Sequence, residues 1–138
     1  MTESSVHKEL LKAIEKWVIE SSSEEMIIFK DSEESMLRRN RSPSIGGYVP
    51  DIYAIGKNTG NIFIGEAKAT EYDLESERSE KQLKAFIEHC KNKYDAIFVL
   101  AVPLHFVGSA RSIIRSIKHV NDLHDVRTYV IDSFLLNI

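Results

Sequence analysis

Apolar positions along this chain fall into two rhythms. Val6, Leu10, Ile14, Trp17 and Val18 recur at helical spacing behind Ser4 and Ser5, so a helix capped by one of these serines is expected from about Val6 to Ile19. Glu25 to Lys30 (EMIIFK), entered from the polar Ser21-Ser22-Ser23 linker, reads as a first strand. Val49 to Gly56 and Asn61 to Lys68 are rich in β-branched and aromatic residues, and Lys57-Asn58-Thr59-Gly60 between them has turn chemistry; together they predict a β-hairpin. Ser79 to Lys91 returns to helical spacing, with Leu83, Phe86, Ile87 and Cys90 as its buried stripe. Tyr94 to Val102 (YDAIFVLAV) is almost continuously apolar, as a central strand covered on both faces should be, and Pro103 ends it. Ser109 is expected to cap a third helix reaching about Val120, with Ala110, Ile113, Ile114 and Ile117 facing inward, and Val126 to Ile131 closes the series as a strand. The expected order is α-β-β-β-α-β-α-β, that of an α/β domain.

The hairpin carries the chain's most unusual charge pattern. A two-residue loop at Asn58-Thr59 sets Asp51 opposite Glu66, whereas a loop centred on Thr59-Gly60 sets Asp51 opposite Lys68. Side chains alternate with period two, so Asp51, Glu66 and Lys68 share one face in either register, at the open end of the hairpin. Two carboxylates and one ammonium thus converge in otherwise apolar sequence, where burying charge needs compensation. A bound divalent cation supplies it; the competing reading is a surface hairpin with an ordinary salt bridge.

Composition adds bounds rather than identity. With 138 residues, 43% hydrophobic and 28% charged, the chain suits one globular domain with a real core. Its apolar runs are too short to span a bilayer and its N-terminus lacks a signal-peptide layout, so a cytoplasmic protein without membrane contact is expected. The single cysteine, Cys90, excludes an internal disulfide, and no histidine or cysteine spacing suggests zinc. A net charge of −3 argues against strong non-specific nucleic-acid binding, but the charge is uneven. Residues 1–34 hold four Lys/Arg against nine Asp/Glu, while residues 35–60 set Arg38, Arg39, Arg41 and Lys57 against Asp51 alone.

Pro50-Asp51 followed by Glu66-Ala67-Lys68, in a strand–turn–strand context, resembles the PD-(D/E)XK nuclease superfamily. The resemblance implies a restriction-endonuclease-like core, a central mixed β-sheet flanked by helices, with one added helix–strand unit. It implies that Asp51 and Glu66 hold Mg²⁺, for which Mn²⁺ can substitute, with the Ala67 carbonyl as a further ligand. Lys68 would orient the attacking water or steady charge on the scissile phosphate. Glu9, in VHKELLKAI, lies where the superfamily's archaeal Holliday-junction resolvases carry a first-helix glutamate that reaches the metal; otherwise it is a solvated helix-surface residue. Gln82, in Lys81-Gln82, matches a glutamine that several of these families place beside the catalytic lysine. The tyrosine that follows in some of them is Phe86 here, so the RecB-type form of the motif is incomplete. Lys81, with Lys84, would contact DNA.

The long polar connection Asp31 to Gly46 precedes the Asp51 strand, and its Arg38, Arg39 and Arg41 read as phosphate contacts or, alternatively, as solubilising charge. The acidic segment Thr70 to Glu80 would repel DNA and is expected to turn outward or be mobile. Arg111, Arg115 and Lys118 form a basic stripe on the third helix, read first as a solvated face. Taken together these features suggest a metal-dependent DNA endonuclease. It would be selective for junction or flap structures and homodimeric, like the small resolvases and virus-type repair nucleases. The alternative is a catalytically inactive nucleic-acid-binding or assembly module on the same fold.

Overall fold

A computed structural model describes residues 4–31 and 41–133. Arg38 and Arg39 lie outside the described residues. The chain builds a five-stranded mixed sheet, open at both edges and flanked by helices, in the spatial order β1-β2-β3-β4-β5. The strands are β1 (Met26–Lys30), β2 (Ile52–Gly56), β3 (Ile62–Ala67), β4 (Ile97–Ala101) and β5 (Arg127–Ile131). β1, β2 and β3 pair antiparallel; β3, β4 and β5 run parallel. The helices are α1 (Ser5–Ser21), α2 (Glu71–Glu75), α3 (Glu77–Lys91) and α4 (Val107–Val120).

The helices divide between the two faces according to their apolar stripes. α1, capped by the Ser4 side chain on the His7 amide, packs Leu10, Ala13, Ile14 and Val18 against Ile52, Ala54, Phe63, Ala67 and Val99. α3 and α4 cover the other face with Leu83, Phe86, Ile87, Ala110, Ile114 and Ile117 over Tyr53, Ile62, Ile64, Phe98 and Leu100. Every residue of β4 is buried, as its unbroken apolar run requires when helices lie above and below. Cys90 is buried in the α3–α4 core, and desolvation pushes its thiol up to about 12, which leaves it an inert apolar group. Trp17 is only partly covered, edge-on to Phe63 at 5.9 Å and tilted against Tyr129 at 5.1 Å. No helix among the described residues is long and apolar enough to cross a membrane.

Two local expectations are corrected. The acidic segment after Lys68 forms helix rather than irregular chain, with its acidic side chains exposed as the outward reading expected. Thr70 caps α2 through the Asp73 amide, Leu74 is buried, and Ser76 caps α3 through the Ser79 amide. Glu71, Asp73, Glu77 and Glu80 fall in the first turns of these helices, where acidic side chains meet the unpaired amides favourably. Ser109 does not cap the last helix. A 3₁₀ turn at Leu104–Phe106 leads straight into α4 at Val107, so the backbone is already helical two residues earlier and no side-chain cap is used.

The approach of α1 to the sheet depends on Gly65. A Cβ on that residue would sit 2.5 Å from Ile14 Cγ2, well inside contact distance, so glycine sets how closely the helix can settle beside Glu66. Gly65→Ala should therefore destabilise the fold by about 1–3 kcal/mol in chemical denaturation, through overpacking. Adding Ile14→Ala should recover part of that loss relative to Ile14→Ala alone; strictly additive effects would mean that the two residues do not meet.

Candidate metal-phosphodiester site

The hairpin register brings the sequence motif together. Ile52 pairs with Gly65, which continues to Asp51 opposite Glu66, the first of the two registers the sequence allows. The turn reaches that register by a longer route than a two-residue loop. Gly56 bonds Asn61 through its amide, Lys57 to Gly60 form the loop, and Gly60 adopts φ +74° while its amide bonds the Gly56 carbonyl. Glu24 clamps this loop from outside, accepting from the Asn58 and Thr59 amides and the Thr59 hydroxyl. Those donors hold its carboxyl below the usual range.

At the far end of the hairpin, Asp51 and Glu66 each accept from a backbone amide of the facing segment. The Asp51 amide donates to Glu66 Oε1 at 3.0 Å, and the Ala67 amide donates to Asp51 Oδ2 at 2.9 Å. The Asp31 amide, at the end of β1, donates to the Asp51 carbonyl at 2.9 Å and fixes the segment from its other side. Lys68 Nζ lies 3.3 Å from Glu66 Oε2 and donates to Gln82 Oε1 on α3 at 2.6 Å. Gln82 thus stands on the catalytic-lysine candidate, where the resemblance places it. Its position follows from the helix phase, since Gln82 is one turn before the buried Phe86.

α1 contributes from the opposite face of the sheet, through His7 rather than Glu9. His7 Nε2 is 3.4 Å from Asp51 Oδ2. Glu9 instead lines a neighbouring cleft with Val6, Leu10, Leu104 and His105. Residues two apart point about 200° apart on a helix, so one of the two must face away. The signal for His7 was present in the sequence: it lies three residues before Leu10, beside Val6 at the start of the apolar stripe. Of the remaining candidates, Arg41 is tied to Asp31 at 2.9 Å, and Lys81 is exposed, 3.8 Å from Glu77 one turn earlier. Such exposed pairs are worth about 0–1 kcal/mol and leave both cations accessible.

Electrostatics single out Glu66. It is 5% exposed, and burial pushes its carboxyl well above the ordinary value of 4.5; the neighbouring Asp51 carboxylate adds to the rise, while Lys68 opposes it. Two carboxylates thus face one lysine and a histidine in a desolvated corner. Among the described residues no group of three or more His, Cys, Asp or Glu side chains is arranged to hold a metal ion. The donors at hand are hard carboxylate oxygens. They suit a cation such as Mg²⁺, which takes few protein ligands and keeps much of its water. Comparison with profiles of known protein families, with characterised proteins and with solved structures finds no match.

A raised carboxyl stabilises the fold while it holds its proton. Its contribution is complete below about pH 4.5 and is lost as pH rises through the elevated value. In a chelator, wild type should therefore lose stability relative to Glu66→Gln as pH climbs from 4.5 toward neutrality, read as the difference in Tm between the two proteins. A difference that stays constant with pH would mean that Glu66 titrates in the folded chain as it does in the unfolded one.

Proposed function

We propose that this chain is a divalent-metal-dependent nuclease of the PD-(D/E)XK type, with a restriction-endonuclease-like core, that hydrolyses DNA phosphodiesters. The observation that carries this reading is the junction of Asp51, Glu66, Lys68 and Gln82 at one end of a buried hairpin, two carboxyl groups beside a single ammonium in a desolvated corner. Asp51 and Glu66 are the residues that would hold Mg²⁺ or Mn²⁺. Ala67 adds its carbonyl, which as extended backbone faces the same side as the amide bonded to Asp51. A cation there supplies charge neutralisation on the phosphate, an acidified water and support for the leaving oxygen.

The protein's own groups do the rest. Lys68, 11% exposed, is held by Gln82 and Glu66, and from there its ammonium would steady an incoming phosphate oxygen or the attacking water. Gln82 accepts from Lys68 and so aims it. His7 sits on Asp51 and limits how that carboxylate can turn. Homodimerisation on branched DNA extends this reading. Paired incision across a junction needs two sites in fixed relation, and a two-fold dimer provides them with one self-complementary contact.

One observation favours a second reading, an inactive nucleic-acid-binding or assembly module. The same bonds that bring Asp51 and Glu66 together give an oxygen of each a backbone donor, so the pair also works as a structural clasp.

Cleavage assays separate the two. Lys68→Ala should lower Mg²⁺-dependent cleavage by about 10²–10³-fold while the protein stays folded, and Asp51→Ala should weaken metal binding as well. A panel of plain duplex, single strand, flap and four-way junction, run beside light scattering, should show a dimer that prefers branched DNA. Equal cutting of plain duplex by a monomer would keep the nuclease and remove the structural selectivity. Absence of any Lys68-dependent cleavage of DNA or RNA would leave the clasp reading in its place.

A further inference from the structure

The basic stripe of α4 does not lie on an open helix face. Arg111, Arg115 and Lys118 line a groove of about 390 Å³ between α4 and the outermost strand β5, floored by Ile114 and completed by His124 and Thr128. No acidic residue lines it among the described residues. Lys118 is anchored across the groove on the Val126 carbonyl at 2.8 Å and the Thr128 hydroxyl at 3.3 Å, which holds strand and helix at a fixed spacing. Arg111 and Arg115 are exposed and have no carboxylate partner among the described residues. Several other cations of this acidic chain are matched: Lys30 by Glu15, Arg41 by Asp31, Lys57 by Glu25, Arg127 by Asp95. The groove is a local excess of positive charge on a chain of net charge −3.

We propose that this groove binds the phosphate backbone of a nucleic acid, as a contact surface separate from the carboxylate site. Its shape argues for a polyanion over a single phosphate ion. Arg111 and Lys118 are two helical turns apart, about 10 Å along the axis, so the cations form a row rather than a converging pocket. Its chemistry is that of backbone contact without base reading: two guanidiniums, a hydroxyl, an imidazole and the edge of a strand that no other strand pairs among the described residues. An acidic polypeptide would be attracted by the same charge, and the test below includes it.

Binding is measured on the full chain in EDTA, so that neither metal nor cleavage enters and failure of the nuclease reading leaves the result interpretable. The probe is a short fluorescein-labelled DNA single strand, followed by anisotropy across a salt series. Arg111→Gln/Arg115→Gln should weaken binding on the order of tenfold and lower the log–log salt slope by about 1.4, two phosphate contacts' worth for a single strand. The control Arg127→Gln removes a β5 cation already matched by Asp95 and should stay within about twofold of wild type. Unlabelled DNA should displace the probe far better than polyglutamate of equal charge. A double variant that behaves like the control, a wild-type protein that binds no probe, or polyglutamate competing as well as DNA would each overturn the assignment, the last in favour of an acidic protein partner.

Discussion

A carboxylate in the interior of a sheet has to be met by donors, a countercharge or a proton, because an unpaired buried charge costs several kcal/mol. Glu66 is met by the Asp51 amide and by Lys68, and still its carboxyl is pushed up by desolvation and by the Asp51 carboxylate beside it. This crowding of two carboxyl groups in a desolvated corner is the constraint the surrounding structure has to meet. It explains why β2 and β3 are joined at their open ends through side chain to backbone bonds, and why Lys68 is drawn inward to α3. In the proposed nuclease a divalent cation would take the place of the proton that burial leaves on Glu66.

The two helical layers turn that local arrangement into a site. α1 comes close because Gly65 offers no side chain to Ile14, and its first turn then delivers His7 to Asp51. α3 lies on the other face, and the phase set by Leu83 and Phe86 delivers Gln82 to Lys68. Neither residue is near the hairpin in sequence, and both are placed by core packing on the elements that carry them. Changes in the core beneath α1 or α3 should therefore be felt at the carboxylates even where no charged group is touched.

Much of this was legible from residue pattern alone. Every strand was found within a few residues of its ends, and period-two alternation placed Asp51, Glu66 and Lys68 on one face without any knowledge of the fold. The hairpin register was narrowed to two choices and not decided, because Gly60 fits either loop and the four-residue loop is held from outside by Glu24, which is remote from it in sequence. α2 was missed because Asp and Glu dominate its five residues, and it is held by a cap and one buried leucine rather than by a periodic stripe. His7 was passed over for Glu9 because residue type was weighed ahead of helix phase. The groove at α4 was read as a solvated face because its second wall, β5, is contributed by residues beyond the helix, and only the fold sets the two side by side.

The central claim is that Asp51 and Glu66 form a cation site. Calorimetric titration with Mn²⁺, repeated in buffers of different ionisation enthalpy at one pH, tests it most directly, because a metal that displaces the Glu66 proton must release it to the buffer. The account expects saturable binding with buffer-dependent heat in wild type, and binding that is weakened and no longer buffer-dependent in Glu66→Gln. No saturable binding, or the same isotherm from both proteins, would contradict it.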